Sequence, residues 1–181
     1  MIPCSLQQAR DVVNGLPVVF VVLKKEGEFA DMISYGKILG VAKEFPESET
    51  AQKWKPVYRV GSPVAIGDGK IEYVYCPKCK TPFLKHEKEC YFCSYLGHKV
   101  INEPVLPIVL RIEQKKLNEI NGEEAIRAGY PKPRVNKDNP FLGHGGDALN
   151  SLKWNIHVDN GLKFENGQFL NPEVFVIEVR K

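Results

Sequence analysis

The sequence has no apolar stretch long enough to cross a bilayer. Its longest run, Leu16–Leu23 (LPVVFVVL), is of strand length, far short of the roughly 20 residues that a spanning helix needs. The opening segment MIPCSLQQARD lacks a basic region followed by an apolar one, so no secretory leader is expected and the cytoplasm is the expected compartment. No internal repeat is present, which sets aside solenoids and propellers. A charge excess is missing too. The 25 basic residues face 22 acidic ones, a net charge of +3, too small a total to argue nucleic-acid binding. Phosphate-loop patterns are absent: the glycine-rich Gly143-His144-Gly145-Gly146-Asp147 fits neither GxGxxG nor GxxxxGK[ST] and reads as a loop leading into a helix capped by Asp147. What remains, 181 residues with 43% hydrophobic and 26% charged side chains, suits one globular domain over residues 1–181 that buries a core without disulfides.

Cysteine is sparse, yet four of the five form one pattern: Cys76-Pro77-Lys78-Cys79, ten residues, then Cys90-Tyr91-Phe92-Cys93. Each CxxC holds two thiolates on one tight knuckle, and two knuckles complete a tetrahedron around a metal. Structural Zn2+ is the expected cofactor. Disulfides, an iron–sulfur cluster and redox chemistry of one CxxC are the competing readings. Four thiolates leave no open coordination position, so the site is expected to stabilise rather than catalyse. The segment 74–100 is thus read as an inserted Cys4 zinc ribbon with too little apolar material to fold alone. Metal binding then supplies folding free energy on the order of 10 kcal/mol. His86 and His98 are read as surface residues, and Cys4 as an ordinary buried small side chain.

Charge concentrates in this insertion. Between Cys76 and Lys99, five lysines (Lys78, Lys80, Lys85, Lys88, Lys99) meet two glutamates (Glu87, Glu89), a surplus equal to the net charge of the whole chain. Phe83, Tyr91, Phe92 and Tyr95 are interleaved with them. Lysines attract phosphates and aromatic rings offer stacking faces, the two needs of single-strand binding. The same aromatics would also serve as the miniature core of the knuckles, with the lysines a solvated face.

Elsewhere the chain reads as mixed α and β. A helix is predicted over 5–14, capped by Ser5 and closed by Gly15, followed by a buried strand over 17–23. A turn over 24–28, a short strand over 38–42, a polar loop over 44–55, a bent strand over 57–66 and a strand over 71–75 come next. After the knuckles come an edge or bulged strand over 105–112 containing Pro107, and a helix opened by the Asn121/Glu124 capping box and closed by Gly129. A second helix over 147–157 and a C-terminal strand over 173–179 complete the order.

Several of these segments, in this order, resemble the ASCH domains of the PUA-like superfamily of small β-barrels. They are Tyr58-Arg59-Val60-Gly61 with Val64-Ala65-Ile66-Gly67, the stretch from Leu117 to Tyr130 (LNEINGEEAIRAGY), Leu152–His157 (LKWNIH) and Asn171–Val179 (NPEVFVIEV). The resemblance implies an α+β fold: a PUA-like mixed β-barrel with peripheral helices, here carrying the zinc insertion. It also implies RNA or modified-base binding as one expected role. The family's G-x-K-x-x-T-x-R segment, whose Lys, Thr and Arg carry catalysis in amidohydrolase members, is matched by Gly15–Val22, which puts Pro17, Phe20 and Val22 at those places. None of these can transfer a proton. Lys24 and Lys25 stand in for them only if the strand register differs.

Three functional classes follow. The first is a nucleic-acid-binding protein, with single-stranded RNA or another nucleic acid as partner and Lys78, Lys80, Lys88, Phe83, Tyr91 and Tyr95 as contact residues. The second is an amidohydrolase or ribonuclease using Lys24, Glu72 and Arg111, with Glu113 and His157 as further candidates. The third is a phage or mobile-element protein-interaction module that docks through the knuckles.

Overall fold

Alternation along Val18–Leu23 and Glu173–Arg180 dictates a sheet that is apolar on both faces. Val18, Phe20, Phe175, Ile177 and Val179 belong to one core cluster, and Val19, Val174 and Val176 to another. The computed structural model describes residues 1–32, 36–44, 54–87, 89–94, 103–130, 148–162 and 170–181. It contains β1 (Ile2–Pro3), α1 (Leu6–Val13), β2 (Val18–Leu23), β3 (Glu28–Met32), β4 (Ile38–Glu44), β5 (Trp54–Arg59), β6 (Ile66–Gly67) and β7 (Tyr73–Tyr75). These are followed by β8 (Pro82–Leu84), β9 (Ile108–Lys116), a 3-10 turn (Leu117–Glu119), α2 (Gly122–Arg127), α3 (Ala148–Asp159) and β10 (Glu173–Arg180).

The doubly buried sheet is antiparallel, in the order β2-β10-β9. A second antiparallel sheet, β3-β4-β5, covers its first face together with α1 and the short parallel pair β1-β6. α1 begins on a capping box in which Ser5 and Gln8 each accept the other's backbone N–H, and it buries Ala9 and Val12. Gly15 follows at a positive φ of 79°. The second face is covered by the 3-10 turn, α2 and α3, through Leu117, Ala125, Leu152 and Ile156. Gly67 lets the β6 turn close tightly, since a methyl there would stand 2.1 Å from the carbonyl oxygen of Ile71.

The expected barrel is not closed among the described residues. The two three-stranded sheets meet at one corner, where Gly61 N–H donates to the Val109 carbonyl and Val109 N–H to that of Ser62. At the opposite side β2 pairs with β10 and not with β3, so the chain passes from one sheet to the other without a ladder between them. The expected strands are present with shifted bounds, and β1, β3 and β8 are additional to them. β9 lies at the sheet edge and carries a bulge opposite Glu178/Val179, which agrees with the position of Pro107 just before it. The turn expected over 24–28 runs directly into β3.

On the helix-facing side of β9 the sheet turns polar, and its charges pair off in a ring. Arg127 of α2 meets Glu178 at 2.6 Å, Glu178 meets Arg111 at 3.5 Å, and Arg111 meets Glu113 at 2.8 Å. Glu113 meets Lys115 at 3.1 Å, and Lys115 bonds Glu124, which returns the chain of contacts to α2. No helix of the described residues is long and apolar enough to cross a membrane.

Candidate metal centre and its surface

β7 and β8 form a hairpin with two working faces. In register, Tyr73 stands opposite Leu84 and Val74 opposite Phe83. Tyr73, Tyr75 and Leu84 pack into the main core, while Val74 and Phe83 pack against Cys76 and Cys90. The insertion is therefore anchored in the body by one face of a hairpin whose other face carries the cysteines.

The first knuckle is the turn of this hairpin, and the second is built the same way. Lys80 N–H donates to the Cys76 carbonyl at 2.8 Å and Ser94 N–H to that of Cys90 at 2.9 Å. Lys80 and Ser94 both sit at positive φ, 59° and 50°, the conformation that the turn after each CxxC demands. Glycine is the residue that adopts it without strain. Ser94→Gly is therefore expected to raise stability by about 0.5–1 kcal/mol, read from denaturant midpoints of the metal-loaded protein; a loss of stability would mean that the serine side chain itself holds the turn.

The four Sγ atoms lie within 4.8 Å of one another. Cys76 and Cys93 are 3.6 Å apart, as are Cys79 and Cys90. A disulfide needs about 2.05 Å, so these are not disulfides. A tetrahedron with metal–sulfur bonds of about 2.3 Å has edges of about 3.8 Å, which fits one metal ion. A multi-iron cluster needs room for bridging sulfides that sulfurs this close do not leave. Cys76 and Cys90 are fully buried and Cys79 is exposed. Burial pushes the Cys79 thiol up, but hydrogen bonds from the Thr81 hydroxyl and N–H and from neighbouring thiols outweigh it and bring it to about 6. At Cys90 burial wins and the thiol is raised, against N–H groups of Phe92 and Cys93 that favour the thiolate. Cys4 lies apart from this group, and burial pushes its thiol up to about 12, against a smaller opposing contribution from the Gly67 backbone; such a thiol is a poor nucleophile at neutral pH.

In comparisons with known proteins, no family model, no curated protein and no solved structure matches the chain. The site is therefore read from its own geometry.

Lys78 and Lys80 stand exposed on the first knuckle, and Tyr91 of the second is 87% exposed. Phe83 corrects the sequence reading: it is 3% exposed and fills the knuckle core, since its register opposite Val74 turns it inward. Phe92 is half exposed; its ring meets Tyr91 edge-on at 5.8 Å and carries the Arg10 guanidinium 4.0 Å above its centroid. Lys88 and Tyr95 lie outside the described residues, as do His98 and the 143–147 loop.

Of the expected catalytic residues, Arg111 and Glu113 pair with each other, and each of the others meets a different partner. Lys24 is paired with Glu173 at 2.8 Å. Glu72 lies beside β7, 3.9 Å from Lys85 of the insertion. Arg111 and Glu113 belong to the ion-pair ring. His157 is buried, with its ring nitrogens 2.8 and 3.0 Å from the carbonyl oxygens of Lys153 and Leu170, a bridge between α3 and the segment entering β10. A cleft of about 710 Å³ does run along β2, and Phe20, Val22 and Lys25 line it, whereas Pro17 and Lys24 do not.

Proposed function

We propose that the protein binds single-stranded nucleic acid, RNA foremost, through a surface shaped by Zn2+ on Cys76, Cys79, Cys90 and Cys93. One observation carries the reading. Tyr91 projects almost its whole ring into solvent from a metal-stapled turn, with Lys78 and Lys80 exposed on the companion knuckle. An exposed aromatic ring on one knuckle, with ammonium groups on the other that have no carboxylate partner among the described residues, is an arrangement that can stack a base and attract its phosphates. An all-thiolate, mononuclear donor set suits zinc. Membership of the ASCH class is part of the proposal, supported by the order of the segments quoted above; α2, α3 and β10 fall on three of them.

The test is fluorescence anisotropy with a labelled single-stranded RNA across a salt series, alongside metal analysis by mass spectrometry. Tyr91→Ala is expected to weaken binding by about 1–3 kcal/mol, the worth of one stacked base. Lys78→Glu with Lys80→Glu is expected to weaken it further and to flatten the salt dependence. Absence of any wild-type affinity for RNA or DNA at low salt overturns the reading.

A further inference from the structure

Arg10 lies in α1, outside the insertion, yet its guanidinium stacks on Phe92 between two of the metal ligands. Phe92 in turn meets Tyr91 at 83°, so cation, ring and ring edge form a continuous array that spans the body and the knuckle. Unlike Arg111 and Arg127, which are held by glutamates, Arg10 has no carboxylate partner among the described residues. Its Nε is sealed from solvent without an acceptor among the described residues, while the residue as a whole is only half-buried. Among the described residues, then, no carboxylate neutralises the charge, and stacking on Phe92 orients the plane of the group. A planar, pre-oriented guanidinium of this kind matches the oxygen pairs of a phosphate, and little side-chain freedom remains to be lost on binding.

We infer that Arg10 forms a phosphate subsite for the strand whose base stacks on Tyr91, so that recognition uses α1 together with the second knuckle. The inference rests on the nucleic-acid reading above and adds to it a residue that the basic run of the insertion does not contain. The competing role is purely mechanical: a strut that docks the knuckle on α1. A strut leaves the salt dependence of binding untouched, while a phosphate contact contributes to it.

The experiment compares wild type, Arg10→Gln, Arg10→Lys and Tyr91→Ala as full-length, metal-loaded proteins, titrated with a labelled single-stranded RNA over a salt series. For Arg10→Gln, affinity is expected to fall about tenfold at low salt, and the slope of log K against log salt to shrink by about 0.7, the value of one phosphate contact on a single strand. Arg10→Lys is expected to keep the wild-type slope and to recover only part of the affinity. Tyr91→Ala is expected to lose affinity at an unchanged slope. If Arg10→Gln keeps the wild-type slope while Tyr91→Ala still weakens binding, the subsite is wrong and the broader reading survives. If wild type does not bind, both fall. Should Arg10→Gln lose its metal, the lysine variant decides: wild-type affinity in that protein overturns the subsite.

Discussion

Stripping the metal with a strong chelator, or replacing Cys90 by serine, is expected to release both knuckles while leaving the three-layer body folded. Among the described residues, the core around the cysteines contains only Val74 and Phe83 besides the thiols. Two such side chains supply a few kcal/mol, less than the conformational entropy of ordering the turns they sit under. Metal binding, on the order of 10 kcal/mol for a site of this type, therefore decides whether the knuckles are ordered. The body has its own clusters, with Phe175 and Ile177 fully buried on one face and Leu117 and Leu152 on the other. Hydrogen exchange separates the two. Amides of Lys80 and Ser94 should lose protection on chelation, while those paired between β2 and β10 keep it. Four thiols should become reactive together, with Cys4, which sits in the folded body and whose thiol is pushed up to about 12, lagging behind them. Protection at Lys80 and Ser94 that survives complete metal removal would mean that the cysteines are packing residues rather than ligands.

The cluster of four cysteines was legible in the sequence because CxxC spacing is a local geometric constraint, and local constraints survive without a structure. The capping boxes at Ser5 and Asn121 were readable for the same reason, although Gln8, the reciprocal partner of Ser5, escaped notice. Phe83 and Tyr91 look alike in composition and charge context. Only the pairing of β7 with β8 tells them apart, by turning Phe83 onto the cysteines, and the alternation of the hairpin was the available signal. β3 was missed because EFADM carries no apolar alternation and is a strand by virtue of its ladder with β4. The partners of the catalytic candidates depend on register. Arg111 looks unattached along the chain, but β9 places it opposite Glu178, 67 residues away in sequence. Barrel closure likewise depends on which strands meet at the edges, which periodicity does not encode.

Register also makes the ion-pair ring worth a direct measurement. Glu124 is 8% exposed and does two jobs: it accepts the Asn121 N–H as half of a capping box, and it neutralises Lys115. Replacing it by alanine removes a cap interaction of about 1 kcal/mol and leaves Lys115 with Glu113 alone, so a total loss of about 2–4 kcal/mol is expected at pH 7. The pH dependence identifies the charge as the cause. Burial alone would push the Glu124 carboxyl up, but Lys115 and the Asn121 N–H outweigh it and hold the group below its ordinary 4.5. A carboxyl depressed in the folded state contributes in full above the unfolded value and loses its contribution as pH falls through the folded one. The difference between wild type and Glu124→Ala should therefore be largest at pH 5–7 and shrink by pH 3, as wild type protonates and approaches the variant. Glu173 is also lowered, by hydrogen bonds from Lys24 and Gln114, but its exposure leaves it little weight in this balance. Glu124→Gln, which keeps an acceptor for the cap, should fall between the two at pH 7. Urea midpoints at pH 7 and pH 3 make the test, and an alanine penalty of the same size at both values would assign the loss to packing and capping instead of to the ring of charges.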